Sequence, residues 1–328
     1  MMKRYRRPLQ APALEPGDRV HIVSPAGPVV PELLEEGIDR LRQWDLEVIV
    51  DEAVYQRRPP YDYLAGDDQA RLQAFVDAWS DPKCRAIICS RGGYGAMRLL
   101  PQLDINALIS QPRLLVGFSD ITALHLYVAG IGGLATLHGP VLKSLCRHDD
   151  DPHRSADRLR QALFATSERP APWTGLRTIC NGAATGPVFG GNLSLLVALL
   201  ATPYAPSLDG AIVVVEDVGE DDYRVDRLLT ALRLSQNTAI AGLVLGDFSD
   251  CDGVYVADDD IDEFLAHLGA EFDCPVVAGA PVGHGGRNVP FPIGVDAELD
   301  ATAGTLSFHH HAATRSAELL STEPLLAE

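Results

Sequence analysis

RLLVGFSDITALHL (residues 113–126) is the stretch on which the fold turns. An apolar strand runs to Phe118, Ser119 follows, and a helix, ITALHLYVAG (121–130), starts at once. Working outward, CRAIICSRGGYG (84–95) is a second strand that ends in a glycine loop, and AMRLLPQL leads away as a short helix limited by Pro101. Further back, DRVHIVSPAG (18–27) and EVIVDEAV (47–54) read as strands. Between them PELLEEGIDRLRQW (31–44) sets Leu33, Leu34, Ile38 and Leu41 on one helical face, and DQARLQAFVDAW (68–79) does the same with Leu72, Phe75, Val76 and Trp79. Strand and helix in regular alternation predict an α/β fold, a parallel sheet covered on both faces.

The texture changes over 147–187, where RHDDDPHRSADR and TSERPAPWTG are polar and rich in proline. Beyond it AIVVVEDVGEDD (211–222), GLVLGDFSDCDG (242–253) and CPVVAGAPVGHG (274–285) are strands that end in acidic or glycine loops. A chain of 328 residues has length for about two domains. The expected division is an N-terminal α/β domain over 1–165, a link over 166–187, a second domain over 188–311 and a frayed tail over 312–328.

Composition is that of a globular chain, 46% apolar and 22% charged. With 27 basic and 45 acidic residues the net charge is −18, so phosphate backbones and anionic membranes are repelled and neither nucleic acid nor membrane is an expected partner. The longest apolar run, Leu195 to Ala201, falls far short of the roughly 18 residues a membrane helix needs. The start MMKRYRR continues into PLQAPALEPGDR without an apolar centre and so fails as an export signal. Six cysteines without a CxxC pair read as reduced thiols. The expectation is a cytoplasmic protein.

Chemistry concentrates at strand ends. Ser119 between strand and helix is the placement that lifts a nucleophile above a sheet, with the Asp120 N–H free to hold an oxyanion. The same window also reads as a helix N-cap, since Ile121 stands where the second glycine of G-x-S-x-G belongs. In SRGGYGAM (90–97), Gly92, Gly93 and Gly95 allow close backbone approach and Arg91 can hold a carboxylate, or the loop is a plain tight turn. A serine needs a base and the base an orienting acid. His284, in the glycine loop PVGHGGRN, is the reachable histidine, whereas His125 lies inside a helix. Glu216 leaves its strand suitably for the acid, with Asp217 and Glu220 as competitors. Cys89, at a strand end, offers a thiol enzyme instead, and glycine loops without turnover would make an anion-binding module. No metal and no cofactor is expected. There is no zinc spacing, DFSDCDGV lacks a first calcium ligand at Phe248, and Asp149–Asp151 and Asp258–Asp260 read as solvated turns.

In order, PGDRVHIVSPAGP (16–28), YLAGDDQARLQAF (63–75), AIICSRGGYG (86–95), VGFSDITALH (116–125), LHGPV (137–141), GGNLSLL (190–196), VVVEDVGEDDYRVDRLL (213–229), GDFSDC (246–251) and GHGGRNVPFPIG (283–294) run through nearly the whole chain. Together they resemble the LD-carboxypeptidases of serine peptidase family S66, which include murein tetrapeptide carboxypeptidases and microcin C immunity peptidases. The resemblance implies a Rossmann-like N-terminal domain of the class I glutamine amidotransferase type and a smaller β-rich C-terminal α/β domain. It implies Ser119 as nucleophile, Glu216 and His284 as its partners, and an oxyanion hole from Asp120 N–H and an amide of the Gly92–Gly93 loop. The implied substrate is a small peptide, murein tetrapeptide losing a terminal D-alanine, or else an aminoacyl-nucleotide, for whose base Trp173 is the candidate stacking ring unless it covers the domain junction. Arg91 or Arg224 would take the terminal carboxylate. A homodimer is implied as well.

Overall fold

Five strands of the first half lie side by side and parallel, in the order Glu47–Val50, Arg19–Val23, Cys84–Cys89, Leu114–Gly117, Thr136–His138. Neighbouring residues on one strand face opposite layers. Ile88 and Val116 join Leu34, Ile38 and Leu41 of the helix Pro31–Gln43. Ile87 and Leu115 join Leu72, Phe75 and Trp79 of the helix Asp68–Ser80. Each such buried side chain contributes about 1.5–3 kcal/mol relative to exposure, and the two faces together explain the nearly continuous apolar strands. The computed structural model describes residues 8–146, 152–235, 239–251 and 261–315. The acidic turns 149–151 and 258–260 lie outside them.

Chain order along this sheet reverses between Arg19–Val23 and Cys84–Cys89, which opens a crevice at their carboxyl ends. The loops there are stitched together. Ser90 N–H donates to Val23 O at 2.9 Å and Gly27 N–H to Gly92 O at 3.1 Å.

An eight-stranded sheet forms the second half. Ala183–Asn192, Ile212–Val218, Gly242–Ser249 and Val276–Ala278 are parallel at its centre, with antiparallel strands on both sides. Three of the sequence expectations change here. The segment 166–187, read as a link, supplies Trp173–Thr174, Arg177–Cys180 and the start of Ala183–Asn192 to this sheet. Its polar texture belongs to exposed edge positions whose hydrogen-bond partners, such as Thr305 and Val276, are remote in sequence. The strand begun at Glu47 stops at Val50, because the Asp51 carboxylate accepts from Ala53 N–H and starts a 3₁₀ turn, Glu52–Tyr55. The tail is held to residue 314, where Ala313–Thr314 pairs with Ala11–Pro12.

The halves share a strand and a seam. Phe291–Ile293, from the second half, adds antiparallel to Thr136–His138. At the seam Asn192 N–H donates to Thr122 Oγ1 at 2.9 Å. Gly191 makes that approach possible: at φ +119° a Cβ would lie 2.4 Å from Thr122 Oγ1. Gly191→Ala is therefore expected to cost about 2–4 kcal/mol, from left-handed strain plus overpacking, read as a lower denaturation midpoint. An unchanged midpoint would mean that the seam yields freely.

Candidate active site

Ser119 stands at φ +62°, a conformation that a non-glycine residue adopts only when its surroundings impose it. The turn Ser119–Ile121 has Phe118 as its N-cap and no side-chain cap hydrogen bond. The capping reading is thus not what the fold uses. The side chain instead faces a cleft of about 320 Å³, which it lines with Leu33, Arg91, Gly92, Lys143 and His284. Leu33, expected on the core face of its helix, is half-buried and turns to this cleft. A Cβ on Gly92 would come within 2.7 Å of Ser119 Cβ, so only glycine lets the two loops close to this distance.

Behind the serine, the Asp120 side chain is buried and accepts from Ala96 N–H at 2.7 Å. Burial pushes this carboxyl up to about 6, against the opposing pull of the Ala96 hydrogen bond and the Arg71 charge. Arg71, also buried, donates to Pro25 O and, at 2.9 Å, to Gly95 O. The C-terminal end of the glycine loop, at Gly95 and Ala96, is held by these two buried side chains. The Asp120 N–H belongs to the first turn of its helix, where amides have no intrahelical acceptor. Gly92 and Gly93 line the cleft in front of Ser119.

His284 Nδ1 and Glu216 Oε2 are 2.6 Å apart. A register shift between Val215 and Asp217 re-aims Glu216 at the end of its strand, and the carboxyl is wholly buried. The competing acids have other work. Asp217 accepts from Asn192 Nδ2 at 2.7 Å and from the N–H and hydroxyl of Ser194, and Glu220 pairs with Arg224. Burial raises the Glu216 pKa against the pull of His284. Burial alone would lower that of His284, but the hydrogen bond and charge of Glu216, backed by Asp217 and Asp247, carry it above the ordinary histidine value. Asp247 also fixes the loop itself, accepting from Gly285 N–H at 2.6 Å. Phe118 packs against the His284 ring, centroids 4.8 Å apart. Ser119 and His284 line one cleft without a direct hydrogen bond between them.

The two candidate arginines part company. Arg91 lines the cleft, its Nη1 donating to Pro28 O at 3.0 Å. Arg224 is on the helix Asp222–Leu234, paired with Glu220 and Asp221 and away from the cleft lining, so its place as a substrate ligand is not supported. Lys143, the second cation at the cleft, carries no motif that sequence reasoning could have caught. Trp173 is 5% exposed, packed edge-on between Phe291 and Phe308 beside a separate cleft of about 490 Å³; it covers the junction of the halves and does not face Ser119. Cys89 is fully buried, and burial pushes its thiol far above the ordinary range, which removes it as a nucleophile. His125 is packed as expected, between Thr136 Oγ1 and Gly117 O, and burial pushes its pKa down to about 4.

Residues 20–139 match the profile of the LD-carboxypeptidase N-terminal domain, and residues 185–299 that of the C-terminal domain. The chain belongs to the LD-carboxypeptidase family. A Synechocystis relative, named only provisionally as a carboxypeptidase, is 42% identical over 92% of this chain and 97% of its own length. The murein tetrapeptide carboxypeptidase of Pseudomonas aeruginosa is 33% identical over 90% of this chain and 97% of its own. The fold is shared with the microcin C7 self-immunity protein MccF, solved with aspartyl sulfamoyl adenosine, at a TM-score of 0.81 and 22% identity over 94% of this chain and all of that one. Membership makes the protein a peptidase. No helix of the described residues is long and apolar enough to cross a membrane.

Proposed function

We propose that this protein is a serine LD-carboxypeptidase that releases terminal D-alanine from murein tetrapeptide, with Ser119, His284 and Glu216 as its catalytic residues. The observation that carries this is the hydrogen bond of His284 to buried Glu216, with His284 on the cleft that also holds a serine at φ +62°. Glu216 fixes the tautomer with the proton on Nδ1, so Nε2 is the basic nitrogen. Nε2 takes the Ser119 proton as Oγ attacks the amide carbonyl, and the same proton passes to the departing D-alanine nitrogen. Asp120 N–H and an amide of the Gly92–Gly93 loop steady the oxyanion. Arg91 and Lys143 supply positive charge for the terminal carboxylate. The 33% identity to a murein tetrapeptide carboxypeptidase supports this substrate over an aminoacyl-nucleotide, for which Trp173 offers no face at the cleft. A cytoplasmic location fits the free thiols of Cys84, Cys89 and Cys251. We also infer a homodimer, on family likeness, expected to sediment at twice the 35.3 kDa of one chain; a single-chain mass at micromolar concentration would refute it.

The deciding assay sets murein tetrapeptide beside its C-terminal amide and an aminoacyl-sulfamoyl adenosine. D-Alanine should appear from the free acid only, Ser119→Ala should lower the rate by at least about 10⁴-fold, and chelators should change nothing. Full activity in Ser119→Ala would sink the serine mechanism, and preferential cleavage of the adenosine would move the protein to the other substrate class.

The pH profile tests the pair. His284 acts as base only when neutral, so kcat/KM falls as pH drops through its pKa, which lies above the ordinary 6.5. Glu216→Gln removes the charge that raises it. The acid limb should then move to lower pH while kcat falls about 10³- to 10⁴-fold. An acid limb that stays in place would separate Glu216 from His284.

A further inference from the structure

Asn288 stands four residues after His284 and is 8% exposed. Its backbone N–H donates to Ser155 Oγ at 3.3 Å, yet neither Oδ1 nor Nδ2 of its side chain meets a protein partner among the described residues. A buried amide left so is costly, and folded proteins rarely keep one without a non-protein partner. Asn288 lines a small cavity together with Ser144, Ser155, Phe118, Gly285 and His284. Of these, Phe118, Ser144 and His284 also line the Ser119 cleft, so the cavity backs directly on it.

Volume selects the occupant. The cavity measures about 30 Å³, room for one or two waters and too little for an amino-acid residue. The Asn288 amide and the Ser144 and Ser155 hydroxyls give a water the two to four polar partners it needs. Resting on the serine mechanism above, we propose that this cavity holds the water that resolves the acyl-enzyme, and that Asn288 is its positioning residue. In that step the water oxygen bonds to the acyl carbon and the ester bond to Ser119 Oγ breaks. The water proton moves to His284 Nε2 and from there to Ser119 Oγ, leaving the free acid and the resting serine. The amide does not touch the reacting carbon. It acts through the water it holds beside the general base.

A depsipeptide analogue of murein tetrapeptide, with an ester in place of the scissile amide, makes acylation fast and deacylation limiting. On it Asn288→Ala should lower kcat about 10- to 100-fold and KM in the same proportion, leaving kcat/KM within about twofold, while the acyl-enzyme accumulates and is seen as an added mass on the intact protein. Asn288→Ser, which keeps a hydroxyl at the cavity, should recover part of kcat. A loss confined to kcat/KM in both variants would place a substrate group in the cavity and overturn the proposal, as would wild-type kcat in both. A wild type that turns the depsipeptide over without any covalent intermediate would overturn the serine reading and this inference with it. A normal wild-type acyl-enzyme with unaltered deacylation in the variants would overturn the inference alone.

Discussion

One contact ties the two halves of the site together, the 2.9 Å hydrogen bond from Asn192 N–H to Thr122 Oγ1. Thr122 lies three residues after Ser119, and Asn192 is the register partner of Glu216 on the neighbouring strand. Asn192 also donates through Nδ2 to Asp217. From Ser119 to Glu216 the path is thus short and made of rigid parts: a helix start, a seam, a strand pair and one hydrogen bond to His284. Catalytic geometry tolerates errors of well under an ångström, which loops alone hold poorly. Gly191 is required here for its lack of a side chain, because anything larger would push the seam apart.

Charge is arranged against the global trend. The chain carries a net −18, and Glu216, Asp217 and Asp247 gather around the His284 loop. That cluster favours the imidazolium form of His284. Arg91 and Lys143 stand on the same cleft as Ser119 and offset the surrounding field locally. The cleft therefore departs in local charge from a surface that as a whole repels anions.

The strand ends made much of the site legible in advance. Ser119, Glu216 and His284 each follow an apolar run, and the structure brings Ser119 and His284 to one cleft with Glu216 hydrogen-bonded to His284. Other parts carried no local mark. Asp247 matters because its carboxylate meets Gly285, 38 positions away, and Asp120 because its side chain reaches the Ala96 amide. Arg91 and Arg224 were equal on chemistry, and only their neighbours divide them: Glu220 and Asp221 hold Arg224, while Arg91 borders the cleft. The polar stretch 166–187 misled in the opposite direction, since edge strands read as loop until their partners are known.

Local pattern by itself determined the parallel α/β frame, the chain order of serine, glutamate and histidine, and the family. The frame follows from period and turn residues, which are short-range properties of a chain, and the other two from the order of motifs along it. Tertiary structure alone decided that Ser119 is strained and not a cap, that Arg91 and not Arg224 borders the cleft, and that Asn288 is buried without a protein partner among the described residues. Each of those depends on what a distant segment brings within 3 Å, and no spacing along the chain encodes that distance.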